Sequence, residues 1–180
     1  MPKFSDHHAS SIAKILLLGD SGSGKTGALA MITPHGHMAA DTPTITMNGK
    51  KIIDERRMVE VFRSIVAKKP IFVFLEMVHA MPKQGVVSMF TFGKSFGIWL
   101  GILASHDVPY ELVTPQKWKA QMLAGVEGTD NKAKSVIVAK RLFPENSGWK
   151  KKDHNKAEAL LIAEWGRRKL YATTPATGVS

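Results

Sequence analysis

The sequence contains no cysteine among its 180 residues. This absence excludes disulfide bonds, thiolate metal sites and cysteine nucleophiles, and it agrees with a reducing cytoplasm. No uninterrupted apolar run approaches the roughly 20 residues that a membrane-spanning helix needs. The polar start MPKFSDHHASS also lacks the apolar core of a signal peptide. We therefore expect a cytoplasmic protein with no membrane partner.

Acidic residues are few compared with basic ones, 15 against 25, which leaves a formal net charge of +10. Such an excess favours a polyanionic partner, nucleic acid before an anionic membrane surface. A solvated basic surface would give the same composition. With 44% hydrophobic residues the chain can bury a core, and its length predicts one domain. We assign residues 1–12 to a flexible arm, 13–170 to the domain and 171–180 to a flexible tail.

Apolar runs and turn signals predict an alternation of strands and helices, so the expected fold class is mixed α/β. Three short strands come first, then a helix, a central strand, a long helix, another strand and three more helices. The predicted strands cover Ile15–Leu18, Ala28–Ile32, a weaker segment around Thr42–Met47, Ile71–Glu76 and Tyr110–Val113. The predicted helices cover Asp54–Ala67, Gly85–Ser105, a short helix opened by Thr114-Pro115, Asn131–Phe143 and His154–Leu170.

The stretch GDSGSGKT (Gly19–Thr26) matches the phosphate-loop pattern G-x-x-x-x-G-K-[ST]. In such a loop, backbone amides wrap the phosphates, the lysine reaches the outer ones and the hydroxyl binds magnesium. This pattern makes Gly24, Lys25 and Thr26 candidate nucleotide ligands and ATP or GTP hydrolysis a candidate activity. A Gly-rich turn without any ligand is the structural alternative.

A phosphate loop requires a helix directly after it, because that helix aims the lysine and the hydroxyl at the phosphates. The segment that comes next here, TGALAMI, is only seven residues long before the turn T-P-H-G (Thr33–Gly36) ends it. A docking helix needs about three turns. A strand, a turn and a second strand therefore fit this length better.

Acidic residues end two of the predicted strands. Asp20 follows the first strand, and Glu76 closes the aromatic strand IFVFLE. Asp153, His154 and Glu158 lie at the start of the last helix, which could pack across the same sheet edge. Because clustered carboxylates repel one another without a cation between them, this set implies Mg²⁺ or Mn²⁺, as one or two ions. Two such ions can hold the attacking and leaving oxygens of a phosphodiester.

The positions of these residues do not support a metal-site role equally well. His154 and Glu158 are four residues apart and share a helix face, whereas Asp153 and Glu158 are about 140° apart around a regular helix. Asp153 therefore reaches the site only from an N-cap position, and its alternative role is that of a capping acid. His154 is either a ligand or a group that contacts phosphate. Glu76 is the hardest to explain otherwise, since a carboxylate that ends so apolar a strand needs a partner.

These acids lie in segments that resemble the RuvC-like Holliday-junction resolvases, in particular the phage and chloroplast-type branch. The residues that carry the resemblance are FLEMVHAMPKQGVVSMFTFGKSFGIWLGIL (Phe74–Leu103), VTPQKWK (Val113–Lys119) and KKDHNKAEALLIAEWGRR (Lys151–Arg168). The resemblance implies an RNase H-like fold with three antiparallel strands followed by parallel strands, a homodimer that acts on four-way DNA junctions, and divalent-metal cleavage. It also implies that Glu76, Asp153 and Glu158 are the metal-binding acids, and a location in a bacterial or phage-infected cell.

The chain departs from this family at its first turn. The family has a short turn of the type D-P-G-x-S-G, where this chain reads DSGSGKTG, longer by about two residues. Residues 11–30 also look like the opening of phage phosphate-loop ATPases. A mosaic sequence and a resolvase with an unusual turn both explain this. Asp20 is therefore the site residue most affected, and a junction-binding protein that has lost cleavage is a third candidate function.

Basic and polar residues elsewhere are candidate DNA contacts. A cation and amides at the start of the long helix could hold a junction phosphate, and lysines around Trp118 and before Asp153 could track the DNA backbone. For the lysine run 150–152, a solvated surface is an equally valid interpretation. The candidates are Lys83, Gln84, Ser88, Lys117, Lys119, Lys132, Lys151 and Lys152.

Overall fold

The computed structural model describes residues 13–19, as a backbone path, together with 27–67, 71–77 and 85–172. Within these ranges the strands are β1 (Ala13–Gly19), β2 (Gly27–Thr33), β3 (Gly36–Asp41), β4 (Thr44–Met47), β5 (Lys50–Ile53), β6 (Ile71–Glu76) and β7 (Tyr110–Val113). The α-helices are α1 (Glu55–Val66), α2 (Val86–Ser105), α3 (Pro115–Met122), α4 (Asn131–Leu142) and α5 (His154–Ala172). The predicted mixed α/β class is confirmed. The last helix includes residues 171 and 172, which the sequence analysis had assigned to the tail.

The central sheet has the strand order β3-β2-β1-β6-β7. The β1–β2 and β2–β3 pairs are antiparallel, and the β1–β6 and β6–β7 pairs are parallel. The parallel strands β1, β6 and β7 therefore end at the same edge of the sheet, and Glu76 is the last residue of β6. This edge carries the candidate site.

The third strand of the sheet differs from the predicted one. It is β3, whereas the predicted segment around Thr42–Met47 belongs mostly to β4, which pairs only with β5 in a separate two-stranded sheet. The reason is the tight turn after β2, where Thr33 Oγ1 accepts from the amide of His35 and donates to the carbonyl of Gly36. The chain therefore returns at once as β3. The predicted turn at Asn48-Gly49 closes the β4–β5 hairpin, with φ values of 51° and 70°.

Two hydrophobic clusters lie on opposite faces of the sheet, as the alternation of side chains along a strand requires. On β6, Phe74 packs with α3, α4 and α5, whereas Val73 and Leu75 pack with α1 and α2. The helices that carry Trp118 and Glu158 thus share one face of the sheet.

The α5 helix crosses this face at very short range. Gly166 lies against Phe74, and a Cβ atom at residue 166 would overlap the Phe74 ring. The neighbouring Trp165 packs edge-on against the same ring, with centroids 5.6 Å apart. This contact fixes α5 against the sheet and thereby fixes where the start of α5 lies.

The α2 helix is largely uncovered. By length and composition alone it could cross a membrane, and only 22% of its apolar 18-residue stretch is buried. This corrects the expectation that no segment is long and apolar enough, because Lys94 and several serines and glycines interrupt the run without making it polar on average. One such helix is weak grounds for a membrane span, since a helix that packs against another protein chain has the same composition.

The Gly166–Phe74 contact gives a stability prediction. Gly166→Ala should lower the free energy of unfolding by about 1–3 kcal/mol, because the added methyl group overfills a packed core. Urea denaturation followed by circular dichroism measures this change. Combining it with Phe74→Leu, which makes room, should cost less than the sum of the two single variants. Additive costs would show that the two residues do not meet.

Candidate active site

Glu76 is a buried carboxylate at the end of a parallel strand. Glu76 is 7% exposed and pairs with Val113 in the register of β6 and β7. The chain leaves β7 through Thr114, which caps α3 by accepting from the amide of Lys117. This short connection places Trp118 beside Glu76, and the indole Nε1 donates to Glu76 Oε1 over 2.8 Å.

Burial raises the pKa of Glu76 from 4.5 to about 7, the Trp118 hydrogen bond opposes the rise, and the negative charge of Glu158 adds to it. Lys119 also lowers the pKa of Glu76, but by less. Desolvation thus outweighs the donors that surround this carboxylate. Glu76 is poised to gain a cation or to hold a proton.

Glu158 lies one turn into α5 and faces the same space. Its side chain is 14% exposed, and Lys119 Nζ lies 3.6 Å from Oε1. The Ser135 hydroxyl on α4 lies 3.3 Å from the same oxygen and 2.8 Å from the carbonyl of Asn131, so its one proton is shared between them. Glu76 and Glu158 are therefore the two predicted acids that the structure brings into electrostatic contact.

Asp153 and His154 lie nearby in sequence but are engaged locally. Asp153 ends a 3-10 turn, Lys151–Asp153, where its carboxylate accepts from the amide of Lys150 over 2.9 Å and pairs with Lys156 over 2.8 Å. These donors, Lys156 first, hold its pKa below the ordinary value. Asp153 therefore caps the 3-10 turn from its last position, which differs from the N-cap of the last helix that the sequence analysis gave as the alternative. Among the described residues no group of three His, Asp or Glu side chains could hold a metal ion.

The imidazole of His154 has one nitrogen in use. Nδ1 lies 3.1 Å from the carbonyl of Lys151, and a carbonyl can only accept, so this nitrogen carries the proton. In the neutral ring Nε2 is then a lone-pair acceptor, and this atom is buried without a hydrogen-bond partner among the described residues. An orphaned, buried acceptor is consistent with either role predicted for His154.

The first-turn residues Asp20, Gly24, Lys25 and Thr26 lie outside the described residues. The segment directly after them, residues 27–33, is described, and it forms β2, a strand antiparallel to β1. A phosphate loop requires a helix at this place. The strand-turn-strand interpretation is confirmed for this segment, and the phosphate-loop context is absent from the part of the chain that the structure describes.

The predicted DNA contacts fall into three groups. Lys83 and Gln84 lie outside the described residues, and Ser88 is half-buried in the first turn of α2. Lys117 and Lys152 are exposed, Lys132 is half-buried, and Lys151 pairs with Asp130 at 2.5 Å. Lys119 differs from the rest, because it is half-buried and directed at Glu158 rather than at solvent.

The donor set fits a hard divalent cation. Two carboxylates interact electrostatically, one of them in a buried position where its charge is destabilised, and oxygen ligands of this kind suit Mg²⁺ and Mn²⁺. A cation beside them would offset the burial that raises the pKa of Glu76, and also the smaller contribution from the charge of Glu158. Glu76 and Glu158 are thus the described residues that would hold it.

Sequence reasoning missed the side chains that hold these acids in place. Trp118 was noted only for the lysines beside it, and Ser135 was not singled out. A signal for Trp118 was available, because a buried indole needs an acceptor for its N–H and Glu76 needs a donor. For Ser135 no sequence signal existed, since its contact with Glu158 joins two helices.

Comparison with known proteins finds a junction resolvase that is similar to part of this chain. Over 94 residues, or 51% of this chain, the sequence is 32% identical to a chloroplastic Holliday junction resolvase, MOC1, of Chlamydomonas reinhardtii. The matched segment spans only 10% of that relative's length. No protein-family model matches the chain.

The fold is shared with a solved structure of Thermus thermophilus RuvC in complex with a Holliday junction substrate. The similarity covers 91% of this chain and 96% of that chain, with a TM-score of 0.58 and 14% identity. A second structure of RuvC from the same organism covers 88% of this chain at 17% identity, but its TM-score of 0.47 is too low to argue from. The resemblance to RuvC-like resolvases, and with it the RNase H-like fold, is therefore confirmed.

The raised pKa of Glu76 predicts how stability depends on pH. The metal-free folded protein holds this proton more tightly than the unfolded chain, so the carboxyl favours folding below pH 4.5 and loses that contribution as pH rises through about 7. Glu76→Gln should therefore stabilise the protein in EDTA at pH 8, by on the order of 2 kcal/mol, and change little at pH 4. Denaturant midpoints at the two pH values measure this.

Glu164 is the matched control, because it is also a buried acid but has the opposite shift. Burial alone would raise its pKa, yet hydrogen bonds from Arg167 and Arg168 leave it lowered overall. Glu164→Gln should therefore destabilise the protein at pH 8, and the loss should shrink as pH falls below about 4. The same sign for both variants would contradict the assigned environments.

Proposed function

We propose that this protein is a metal-dependent, structure-selective DNA endonuclease that resolves four-way junctions by phosphodiester hydrolysis. The observation that carries the proposal is a pair of acids, Glu76 and Glu158, which interact electrostatically at the carboxyl edge of the parallel strands and are both reached by the basic helix α3. The sequence similarity to a Holliday junction resolvase and the fold shared with RuvC support the same activity.

The site residues would act mainly as ligands of a metal ion, which in turn supplies the positive charge. Glu76 and Glu158 would hold Mg²⁺ or Mn²⁺, with Asp20 and Asp153 as further ligands and His154 as a ligand or phosphate contact. When bound, the ion supplies positive charge to the phosphate and lowers the pKa of water for an in-line attack that leaves 5′-phosphate and 3′-hydroxyl ends. Asp153 would join only after releasing Lys156, which now pairs with it.

The DNA backbone would lie along the exposed lysines near this edge. Lys117 is 53% exposed at its side chain and Lys151 is 69% exposed, so both can exchange their present carboxylate partners for phosphate. Surface ion pairs of this kind contribute little to stability. Binding should weaken steeply as salt is raised.

A second copy of the chain is the partner that we assign to the exposed face of α2. Symmetric cleavage of a four-way junction needs two acid sites, and one chain supplies one. Val86 and Phe90 are 76% and 75% exposed, and Gly93, Gly97 and Gly101 continue the same face with open space around them. Small residues at this spacing let two helix backbones approach closely. We propose a homodimer through this face rather than contact with a lipid bilayer.

Cleavage of a synthetic four-way junction in Mg²⁺ tests the activity. Glu76→Gln and Glu158→Gln should each lower the cleavage rate by more than about a hundredfold, the upper range for residues that merely support a metal ligand. Junction binding should persist, because removing negative charge does not weaken contact with phosphate. The exposed acid Glu60, on α1, provides a control, and Glu60→Gln should cut at the original rate.

Other outcomes would favour the competing functions. Phosphate release from ATP without nicks would contradict the nuclease and favour a nucleotide hydrolase. A junction shift by the unaltered protein in Mg²⁺, without nicks or phosphate release, would indicate a junction-binding protein that has lost cleavage.

The dimer is tested at Gly97. Apart from the backbone of its own helix, no atom of the described residues lies within 4 Å of a Cβ at this position, and leucine is the better helix former by nearly 1 kcal/mol. Gly97→Leu should therefore leave the monomer folded, or stabilise it, while the dimer weakens by about tenfold or more. Analytical ultracentrifugation over a concentration series measures this. Ala120→Leu, at an exposed position on α3, should not change the association.

A monomeric unaltered protein at micromolar concentration would contradict the dimer. If that monomer also bound neutral phosphatidylcholine vesicles through α2, the assignment of this face to a second copy would be wrong, and a membrane contact would replace it.

A further inference from the structure

The α3 helix reaches both acids with consecutive residues. Trp118 donates to Glu76 over 2.8 Å, and Lys119 Nζ lies 3.6 Å from Glu158 Oε1. The helix itself is eight residues long and begins at a fixed point, where Thr114 caps it and Pro115 occupies its first turn. A short, capped helix thus holds a neutral donor on one acid and a cation on the other.

The two contacts differ in how firmly they are held. Lys119 has a flexible side chain that is 27% exposed. Trp118 is 0% exposed and lies in the core cluster that contains Phe74, Val113 and Met122. Its indole has one donor and no acceptor, so core packing decides where the N–H points.

The Glu76 carboxylate is therefore oriented by a rigid group. Oε1 accepts from Trp118, and no described residue donates to Oε2. Because Oε1 is held and Oε2 has no donor among the described residues, the carboxylate can offer Oε2 to a cation in a fixed orientation. Supporting hydrogen bonds of this kind fix metal ligands in position, and losing one typically costs about 10–100-fold in metal affinity or activity.

We infer that Trp118 is a positioning residue, whose indole N–H holds one oxygen of Glu76 so that the other is directed at the divalent cation. This inference rests on the proposed function, since it concerns the same site. It assigns a role in that site to a tryptophan that otherwise serves as core packing.

A purely structural role for Trp118 can be separated from a positioning role, because the chain holds a matched tryptophan. Trp165 is 3% exposed and belongs to the same core cluster. Its Nε1 donates to Gln121 Oε1 over 2.7 Å, an amide that is not among the acids. Trp118→Phe and Trp165→Phe each remove one buried indole N–H from one core, and only the first removes it from Glu76.

Mn²⁺ alone is the probe. Electron paramagnetic resonance of free Mn²⁺, in a titration of each folded protein without DNA, gives the dissociation constant. Trp118→Phe should bind Mn²⁺ about 10–100-fold more weakly than the unaltered chain, and Trp165→Phe should bind it within about twofold. Paramagnetic quenching of tryptophan fluorescence should be largely lost in Trp118→Phe and kept in Trp165→Phe.

Placing 3-benzothienylalanine at position 118 guards against misfolding, because it keeps the bicyclic shape and replaces only the N–H with sulfur. It should reproduce the affinity loss of Trp118→Phe at an unchanged melting temperature. Equal Mn²⁺ affinity in this variant and in the unaltered chain would overturn the positioning role.

The failure of this inference and the failure of the proposed function look different. If the unaltered protein binds Mn²⁺ and cuts junctions, and both tryptophan variants do so equally well, only the inference falls. If the unaltered protein binds no Mn²⁺ and makes no nicks, the proposed function falls and the inference falls with it.

Discussion

The burial of one carboxylate is the constraint around which the candidate site is arranged. Glu76 ends an apolar strand between two others, where its charge is poorly solvated. Only a few partners can make such a position tolerable, namely a proton, a directed donor or a cation. The structure supplies the donor through Trp118, and it leaves the second oxygen of the carboxylate without a donor among the described residues. Glu76 and its donor are brought together by three features: the direction of β6, the short connection after β7 and the fixed start of α3.

The second acid is delivered by a helix that packs on the same face of the sheet as α3. Glu158 lies near the start of α5, and α5 is locked in place eight residues later, where Gly166 meets Phe74. Phe74 lies on β6, two residues before Glu76. The strand that carries the first acid therefore also carries the ring that positions the helix of the second. This coupling explains why a site can form from acids 82 residues apart in a chain of 180 residues.

Most of the strands and helices that carry the site could be predicted from the sequence, but several contacts between them could not. The aromatic strand ending in Glu76, the helix with Glu158 and the capped start of α3 are consequences of local patterns, and the structure has them. The third strand was misplaced, since turn chemistry at Thr33–Gly36 returned the chain earlier than the apolar pattern indicated. Asp153 was grouped with the metal acids from its sequence position; its carboxylate caps a 3-10 turn, and its role as a metal ligand stays a prediction. The Trp118–Glu76 bond joins residues 42 positions apart, and such pairs depend on the tertiary fold rather than on spacing. The phosphate-loop pattern shows the converse limit, because eight matching letters do not impose the helix that must come after them.

The most direct test of this account is the position of the metal ion itself. Crystals grown in Mn²⁺ and measured at the manganese absorption edge give an anomalous map that locates the ion without reference to activity. We expect a peak in contact with both Glu76 and Glu158, on the side of Glu76 that faces away from Trp118. A peak that touches neither carboxylate, or Mn²⁺ bound only at the first turn that contains Lys25 and Thr26, would contradict it.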